Sequence, residues 1–315
     1  MSSEPRRARL SALAKINLGL KVLNKRPDGF HELRTVFQTV SLADTLDVEF
    51  TPAPVTSIAV RSEPDIPGNL VERAATLAFD LMRTTGKVEF RLKKRIPMGG
   101  GLGGGSSDAA AVLMALPVLA GRPLALPVLL EAAACLGSDV PFFLLGGTAV
   151  ATGRGTELYP LPDRPPESCL LVAPDIHVST AEAYQALDRT ADGLTSAAWQ
   201  NIISSFQSCV WDGGAASPGE NDFESVVFPK HPRLGILKQQ LERLGARPAM
   251  LSGSGAALFG LFPNPGEARR AAASFTDERV FAVSLVSRAK YRALWRRVLS
   301  GHLAGKTWPP QSRYA

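Results

Sequence analysis

Between residues 10 and 23 apolar and polar positions alternate. Ala14, Ile16, Leu18, Leu20 and Val22 fall on one face, and Lys15, Asn17, Gly19 and Lys21 on the other. A period of two predicts a strand that turns Lys15 and Asn17 the same way, away from the core. That face is either a solvated strand surface or one side of a ligand site. Arg26-Pro27-Asp28-Gly29 is a turn, with proline and glycine where turn geometry wants them. Phe30-His31-Glu32-Leu33 leads out of it, and Val36–Val40, Leu46–Phe50 and Ser57–Val60 read as further strands. Asn69 followed by Glu72 is a capping-box pattern, which predicts a helix from Leu70 to about Thr85, closed by Gly86. Val88, Phe90 and Leu92 alternate again.

The pattern then breaks at Pro97-Met98-Gly99-Gly100-Gly101-Leu102-Gly103-Gly104-Gly105-Ser106-Ser107-Asp108, where six of seven consecutive positions are glycine. Each glycine costs about 1 kcal/mol relative to alanine in an ordered element, so such a run needs a use. Ser106, Ser107 and Asp108 offer N-cap chemistry, and Ala109 to Leu116 is strongly helix-forming. A glycine loop running into a helix N-terminus is an anion site, because free N–H groups and the positive dipole end face one point. Gly99-x-Gly101-x-x-Gly104 matches a dinucleotide fingerprint, but no acidic residue occurs between 117 and 130 to receive the ribose. A Walker loop is excluded, since no lysine lies between Lys94 and Lys230. A nucleotide cradle built from amides and hydroxyls remains.

Downstream, a helix is expected over Val128–Leu136, closed by Gly137. Asp139 stands just before Val140-Pro141-Phe142-Phe143, either as a helix cap or as a carboxylate near the loop. Two short strands surround Gly153-Arg154-Gly155. Pro160 to Pro166 is the clearest linker, so the expected division is residues 1–162, residues 163–298 and a disordered tail, 299–315. The second part should hold a strand over Leu170–Ala173, a capping box at Ser179–Glu182, and a polar irregular stretch over 189–220 with Trp199 and Trp211 as anchors. A helix over 233–244 should follow, then a second glycine–serine loop, Ser252-Gly253-Ser254-Gly255, a helix over 265–274 and a strand over 280–287. Strands first, then helix, strand, loop and helix make an α+β chain.

Composition adds limits. The chain has 315 residues, 45% of them hydrophobic and 20% charged, enough for two ordinary domains. No apolar run approaches the roughly 18 residues of a membrane span. Cys135, Cys169 and Cys209 lack metal-ligand spacing and suit reduced thiols in a cytoplasm. The net charge of +6 could suggest nucleic acid, but it is scattered and not interleaved with aromatics, so a small anionic substrate explains it equally well, and no nucleic-acid partner is expected.

The Lys15 strand, the Pro97–Ser107 stretch and the Ser252–Gly255 loop, in that order, resemble the GHMP kinase superfamily. Ala14-Lys15-Ile16-Asn17-Leu18, Arg26 to Leu33 and Gly137-Ser138-Asp139-Val140-Pro141-Phe142 are most similar to its branch acting on 4-diphosphocytidyl-2-C-methyl-D-erythritol. The resemblance implies a ribosomal protein S5 domain 2-like N-terminal domain, a ferredoxin-like α/β C-terminal domain and an active site in the cleft between them. It implies ATP as co-substrate, with Mg²⁺ carried on it, and phosphorylation of CDP-methylerythritol on its 2-hydroxyl in isoprenoid synthesis in a bacterial cytoplasm. Lys15 and Asp139 match the catalytic pair. Pro97, Met98, Gly99, Gly100, Gly101, Leu102, Gly103, Gly104, Gly105, Ser106 and Ser107 match the ATP loop, with Lys94 and Asn69 bordering the adenine. Asn17, Phe30, His31 and Tyr184 match the substrate site, with cytosine stacked between Phe30 and Tyr184. No protein ligand for the metal is assigned, and the expected state is a monomer or weak homodimer. Homoserine or mevalonate kinases, and a non-catalytic nucleotide-binding protein on the same fold, are the rival readings.

Overall fold

A computed structural model describes residues 4–187 and 220–314. The expected irregular segment with Trp199 and Trp211 lies outside the described residues, apart from Glu220. The alternating N-terminal stretch is a 20-residue strand, β1 (Arg6–Lys25), which turns at Gly29 (φ 83°) into the 22-residue β2 (His31–Pro52). The two pair antiparallel from Arg6↔Phe50 to Lys25↔His31. The separate strands expected over Val36–Val40 and Leu46–Phe50 are thus halves of β2, which stays paired with β1 through both. β3 (Ser57–Glu63), α1 (Leu70–Met82) and β4 (Gly86–Lys93) follow. Asn69 caps α1 by accepting the Val71 N–H at 3.0 Å. The helix stops earlier than Thr85 because Arg83 takes the left-handed conformation that closes it.

α2 (Gly104–Ala120) is apolar on all sides and lies in the centre of the first core. Its N-cap is Gly103, without a side-chain cap bond, so Ser106, Ser107 and Asp108 sit inside the first turns and do not cap it. α3 (Leu126–Leu136), α4 (Val140–Leu145), β5 (Thr148–Thr152) and β6 (Glu157–Pro160) complete this part. The sheet runs β3-β4-β2-β5-β6, with β1 also on β2. It can hold both β4 and β5 on one strand because β5 pairs with residues 35–38 of β2 and β4 with residues 45–52.

After the proline-rich crossing, β7 (Ser168–Ala173) begins a second, four-stranded antiparallel sheet, β10-β7-β9-β8. Its other strands are β8 (Ala249–Leu251), β9 (Leu258–Phe262) and β10 (Arg279–Ser284). Helices α5 (Thr180–Ala186), α6 (Glu224–Lys230), α7 (Pro232–Arg243) and α8 (Pro265–Ala272) accompany it. A third core joins the two parts: Ala14, Ile16 and Leu18 of β1 pack with Cys169, Leu171, Phe259 and Leu261 of the second sheet. The apolar face of β1 is therefore the inter-sheet seam, which forces Lys15 and Asn17 to the opposite side.

The C-terminal part departs from expectation. The chain returns to the first layer at Leu285, which bridges Val40, and continues into α9 (Arg288–Val298). Tyr291, Trp295 and Leu299 join the first core, and the Tyr291 hydroxyl donates to the Phe143 carbonyl at 2.5 Å. The tail expected to be disordered is also packed. Trp308 Nε1 donates to Leu144 O at 3.1 Å, Ser312 Oγ to Val118 O at 2.7 Å, and Arg6 lies 3.8 Å from the Tyr314 ring centroid. Its aromatic residues find partners far away in sequence, a signal no local pattern carries. Full burial of such a ring would contribute about 1.5–3 kcal/mol, and the half-buried Trp308 and Tyr314 gain part of that.

Candidate active site

β1 is irregular on both sides of Lys15. Its register with β2 shifts between Leu13 and Lys15 and again between Asn17 and Gly19. Bulges of this kind re-aim side chains. Lys15, 3% exposed, donates to Asn17 Oδ1 at 2.8 Å, and its Nζ stands 3.4 Å from Asp139 Oδ2. Asn17 Nδ2 donates to Thr35 Oγ1 at 2.8 Å, and Thr35 Oγ1 donates to the Gly19 carbonyl at 2.7 Å. A chain of polar groups thus fixes the ammonium, which also lies 5.2 Å from the Phe37 ring centroid. Asp139 is at the N-cap of α4 but makes no cap bond, so its carboxylate is left for the cleft.

The glycine loop is held against this lysine. The Lys15 N–H donates to Leu102 O at 3.0 Å, and an added Cβ at Gly103 would come within 3.1 Å of Lys15 Cγ. On its other side the loop meets the second glycine–serine loop. Ser252 Oγ donates to Gly101 O at 3.0 Å and the Ala257 N–H to Gly100 O at 3.2 Å. Asn221 locks that second loop by donating to Leu251 O and Gly253 O, each at 2.8 Å. Gly101 is the tightest point, with φ 71° and a would-be Cβ only 2.0 Å from Ser252 O. Gly101→Ala is therefore expected to push the two loops apart and abolish measurable ADP binding in calorimetry. Binding within about twofold of wild type would show that the loop contact is dispensable.

Lys15, Asn17, Phe30, His31, Gly101, Ser106, Asp139 and Tyr184 all line one cleft of about 790 Å³. At its aromatic end the rings of His31 and Tyr184 stack at 4.9 Å and 23°, and Phe223 meets Tyr184 edge-on at 4.8 Å. Phe30, 46% exposed, carries the Arg154 guanidinium on its ring at 3.5 Å. One face of each ring expected to hold the base is thus already covered by a protein group. Burial, with the nearby charge of Asp139, pushes the Tyr184 phenol above its ordinary range, so it stays protonated.

Other sequence-derived residues stand around the cleft but do not line it. Leu102 and Ser107 are buried behind the loop, Pro97 is half-buried at its entry, Met98 is exposed, and Gly99 lies beside His177. Gly100 anchors the second loop, and the remaining positions, Gly104 and Gly105, form the first turn of α2. Asn69 is occupied in capping α1. Lys94 is sequestered between two buried carboxylates, pairing with Asp44 and, at 2.7 Å, with Asp108. Burial opposes its charge, but the two aspartates outweigh that and raise its pKa. Burial, reinforced by Asp44, pushes Asp108 up to about 7 against the pull of Lys94. Asp44 Oδ1 also accepts the Arg95 and Ile96 N–H groups, so this cluster ties the entry of the glycine loop to the start of α2. Sequence reasoning missed Thr35, Arg154, Thr180, Ser254 and Phe223 as cleft residues. Two signals were available: the Ser252–Gly255 loop, which contains Ser254, and the Gly153-Arg154-Gly155 tripeptide, a charged residue held between two glycines.

Residues 69–147 match the family model described as GHMP kinases N terminal domain, and residues 213–279 that described as GHMP kinases C terminal. The chain is 58% identical over 313 residues to the 4-diphosphocytidyl-2-C-methyl-D-erythritol kinase of Solibacter usitatus, covering 99% of each chain. It is 39% identical over 278 residues to the enzyme of that name from Geobacter sulfurreducens, covering 88% of this chain and 97% of the relative. Among solved structures, a 4-(cytidine 5'-diphospho)-2C-methyl-D-erythritol kinase superposes with a TM-score of 0.73 at 39% identity, covering 88% of this chain and 98% of that one.

Proposed function

The chain belongs to the 4-diphosphocytidyl-2-C-methyl-D-erythritol kinases, a branch of the GHMP kinases, and on that footing we propose the reaction it performs. It transfers the γ-phosphoryl group of ATP to the 2-hydroxyl of 4-diphosphocytidyl-2-C-methyl-D-erythritol, giving the 2-phosphate, in the non-mevalonate route to isopentenyl diphosphate. The observation that carries this reading is the buried Lys15 ammonium facing Asp139 in a cleft whose other end is lined by Phe30, His31 and Tyr184.

The acceptor is a tertiary alcohol, a weak nucleophile. Asp139 orients that hydroxyl and accepts its proton as the phosphoryl group arrives. Lys15 holds Asp139 in place and offsets negative charge on the transferring group. The glycine-loop amides and Ser106 cradle the triphosphate at the N-terminus of α2. Among the described residues no cluster of three or more metal-ligating side chains exists. The donors present, Ser106 and Asp139, fit a Mg²⁺ carried mainly by phosphate oxygens and water. When bound, that ion supplies neutralisation of phosphate charge. Phe30 and Tyr184 offer faces for the cytosine and His31 an edge to read it. The free thiols of Cys135 and Cys169 accord with a bacterial cytoplasm.

ADP release should be measured by coupled assay with the cytidine-diphosphate methylerythritol substrate, with homoserine and with mevalonate. Turnover is expected with the first alone. Turnover with homoserine or mevalonate and none with the cytidine compound would replace this reading by a sister activity of the superfamily.

A further inference from the structure

Arg154 has no role in the scheme above, yet it lines the cleft. It stands in the connection between β5 and β6, between Gly153 (φ 64°) and Gly155 (φ 90°). Its guanidinium lies on the Phe30 ring at 3.5 Å. Its Nε is buried with no hydrogen-bond partner, and the side chain makes no hydrogen bond or ion pair with another described residue. A guanidinium has five N–H donors in a rigid fork suited to phosphate oxygens, and it cannot lose its charge. The buried Nε–H is costly to leave without an acceptor, and the terminal N–H groups remain open to a ligand in the cleft.

The charge balance of the cleft points the same way. Among the described residues, Lys15, Lys25 and Arg154 line it with the carboxylate of Asp139; Lys15 faces that carboxylate at 3.4 Å, and Lys25 is engaged elsewhere. Asp28, whose charge also feels Arg154, is engaged by the Phe30 N–H at 3.1 Å and by Arg26 at 3.2 Å. The cation left for a ligand is therefore Arg154 beside Phe30, away from the Lys15–Asp139 pair. A ligand that stacks on an aromatic ring and presents phosphate oxygens next to it would satisfy Arg154.

We propose that Arg154 is the phosphate-reading residue of the acceptor site: packed on Phe30, it donates to the diphosphate of the cytidine substrate and makes binding depend on that diphosphate as well as on the base. This rests on the proposed function, since it takes the aromatic end of the cleft as the cytidine site. Lysine cannot replace it fully, because an ammonium lacks the planar stack and the paired donors.

Calorimetric titration of wild type, Arg154→Ala and Arg154→Lys with cytidine, CDP and ADP tests it. Wild type is expected to bind CDP more tightly than cytidine. Arg154→Ala should weaken CDP about tenfold or more, the scale of a charged hydrogen bond, while cytidine and ADP stay within about twofold. Arg154→Lys should fall between. Retained ADP binding shows that the variants are folded. Equal losses for cytidine and CDP would reduce Arg154 to a prop for Phe30, and a loss confined to ADP would move it to the triphosphate; either overturns the proposal. If wild type binds neither cytidine nor CDP, it is the assignment of the cleft that fails.

Discussion

Asp139→Asn is expected to lower kcat by about 10²–10⁴, the usual contribution of a positioned general base, with ADP affinity held within about twofold. Asparagine has nearly the same shape, and Asp139 makes no cap bond to α4 that the change could break. What is lost is the capacity to take a proton and the anion opposite Lys15. Rapid-quench measurement of the phosphoryl-transfer step separates this from slow product release. A transfer rate within twofold of wild type would mean that positioning by the loops alone carries the reaction.

Lys15→Met is expected to cost about 10²–10³ in kcat, the scale of removing one preorganised electrostatic partner of a developing charge. Methionine keeps the aliphatic stem that packs beside Gly103. Asn17 Oδ1, in a residue only 1% exposed, would lose its donor, so a stability loss of about 1–3 kcal/mol should appear in denaturant titration. The two effects differ in kind, because a stability loss alone lowers the active fraction without altering kcat per folded molecule. Unchanged turnover of the folded variant would confine Lys15 to a structural part.

Much of the first sheet was legible because its information is local. The alternation around Lys15 gave both the strand and the side on which Lys15 and Asn17 lie. Asn69 and Ser179 were readable as caps, since each cap bond spans two or three residues. The glycine loop was readable as a break leading into a helix, now α2, but its contact with the second loop had no local signal. Elements fixed by distant contacts were not legible. Nothing near Tyr291, Trp295 or Trp308 says that they pack on α4 and the first core. Gly103 heads α2, though Ser106 to Asp108 look like better caps, because Lys94, itself anchored by Asp44, holds Asp108 inside the helix. That same pairing withdraws Lys94 from the cleft lining, where sequence alone leaves it free to face a nucleotide. Arg154 was passed over for a related reason: its partner is the ring of Phe30, brought near only when β5 docks on the first half of β2.

The central claim is that the cleft joins ATP to one hydroxyl of a cytidine-diphosphate polyol. The most direct measurement is the ³¹P NMR spectrum of the product formed from ATP and the purified cytidine-diphosphate methylerythritol substrate. The account predicts a new phosphomonoester resonance, in step with ADP, while the two diphosphate resonances of the cytidine compound persist. ADP released with no new monoester, or a phosphoryl group added to the diphosphate itself, would contradict it.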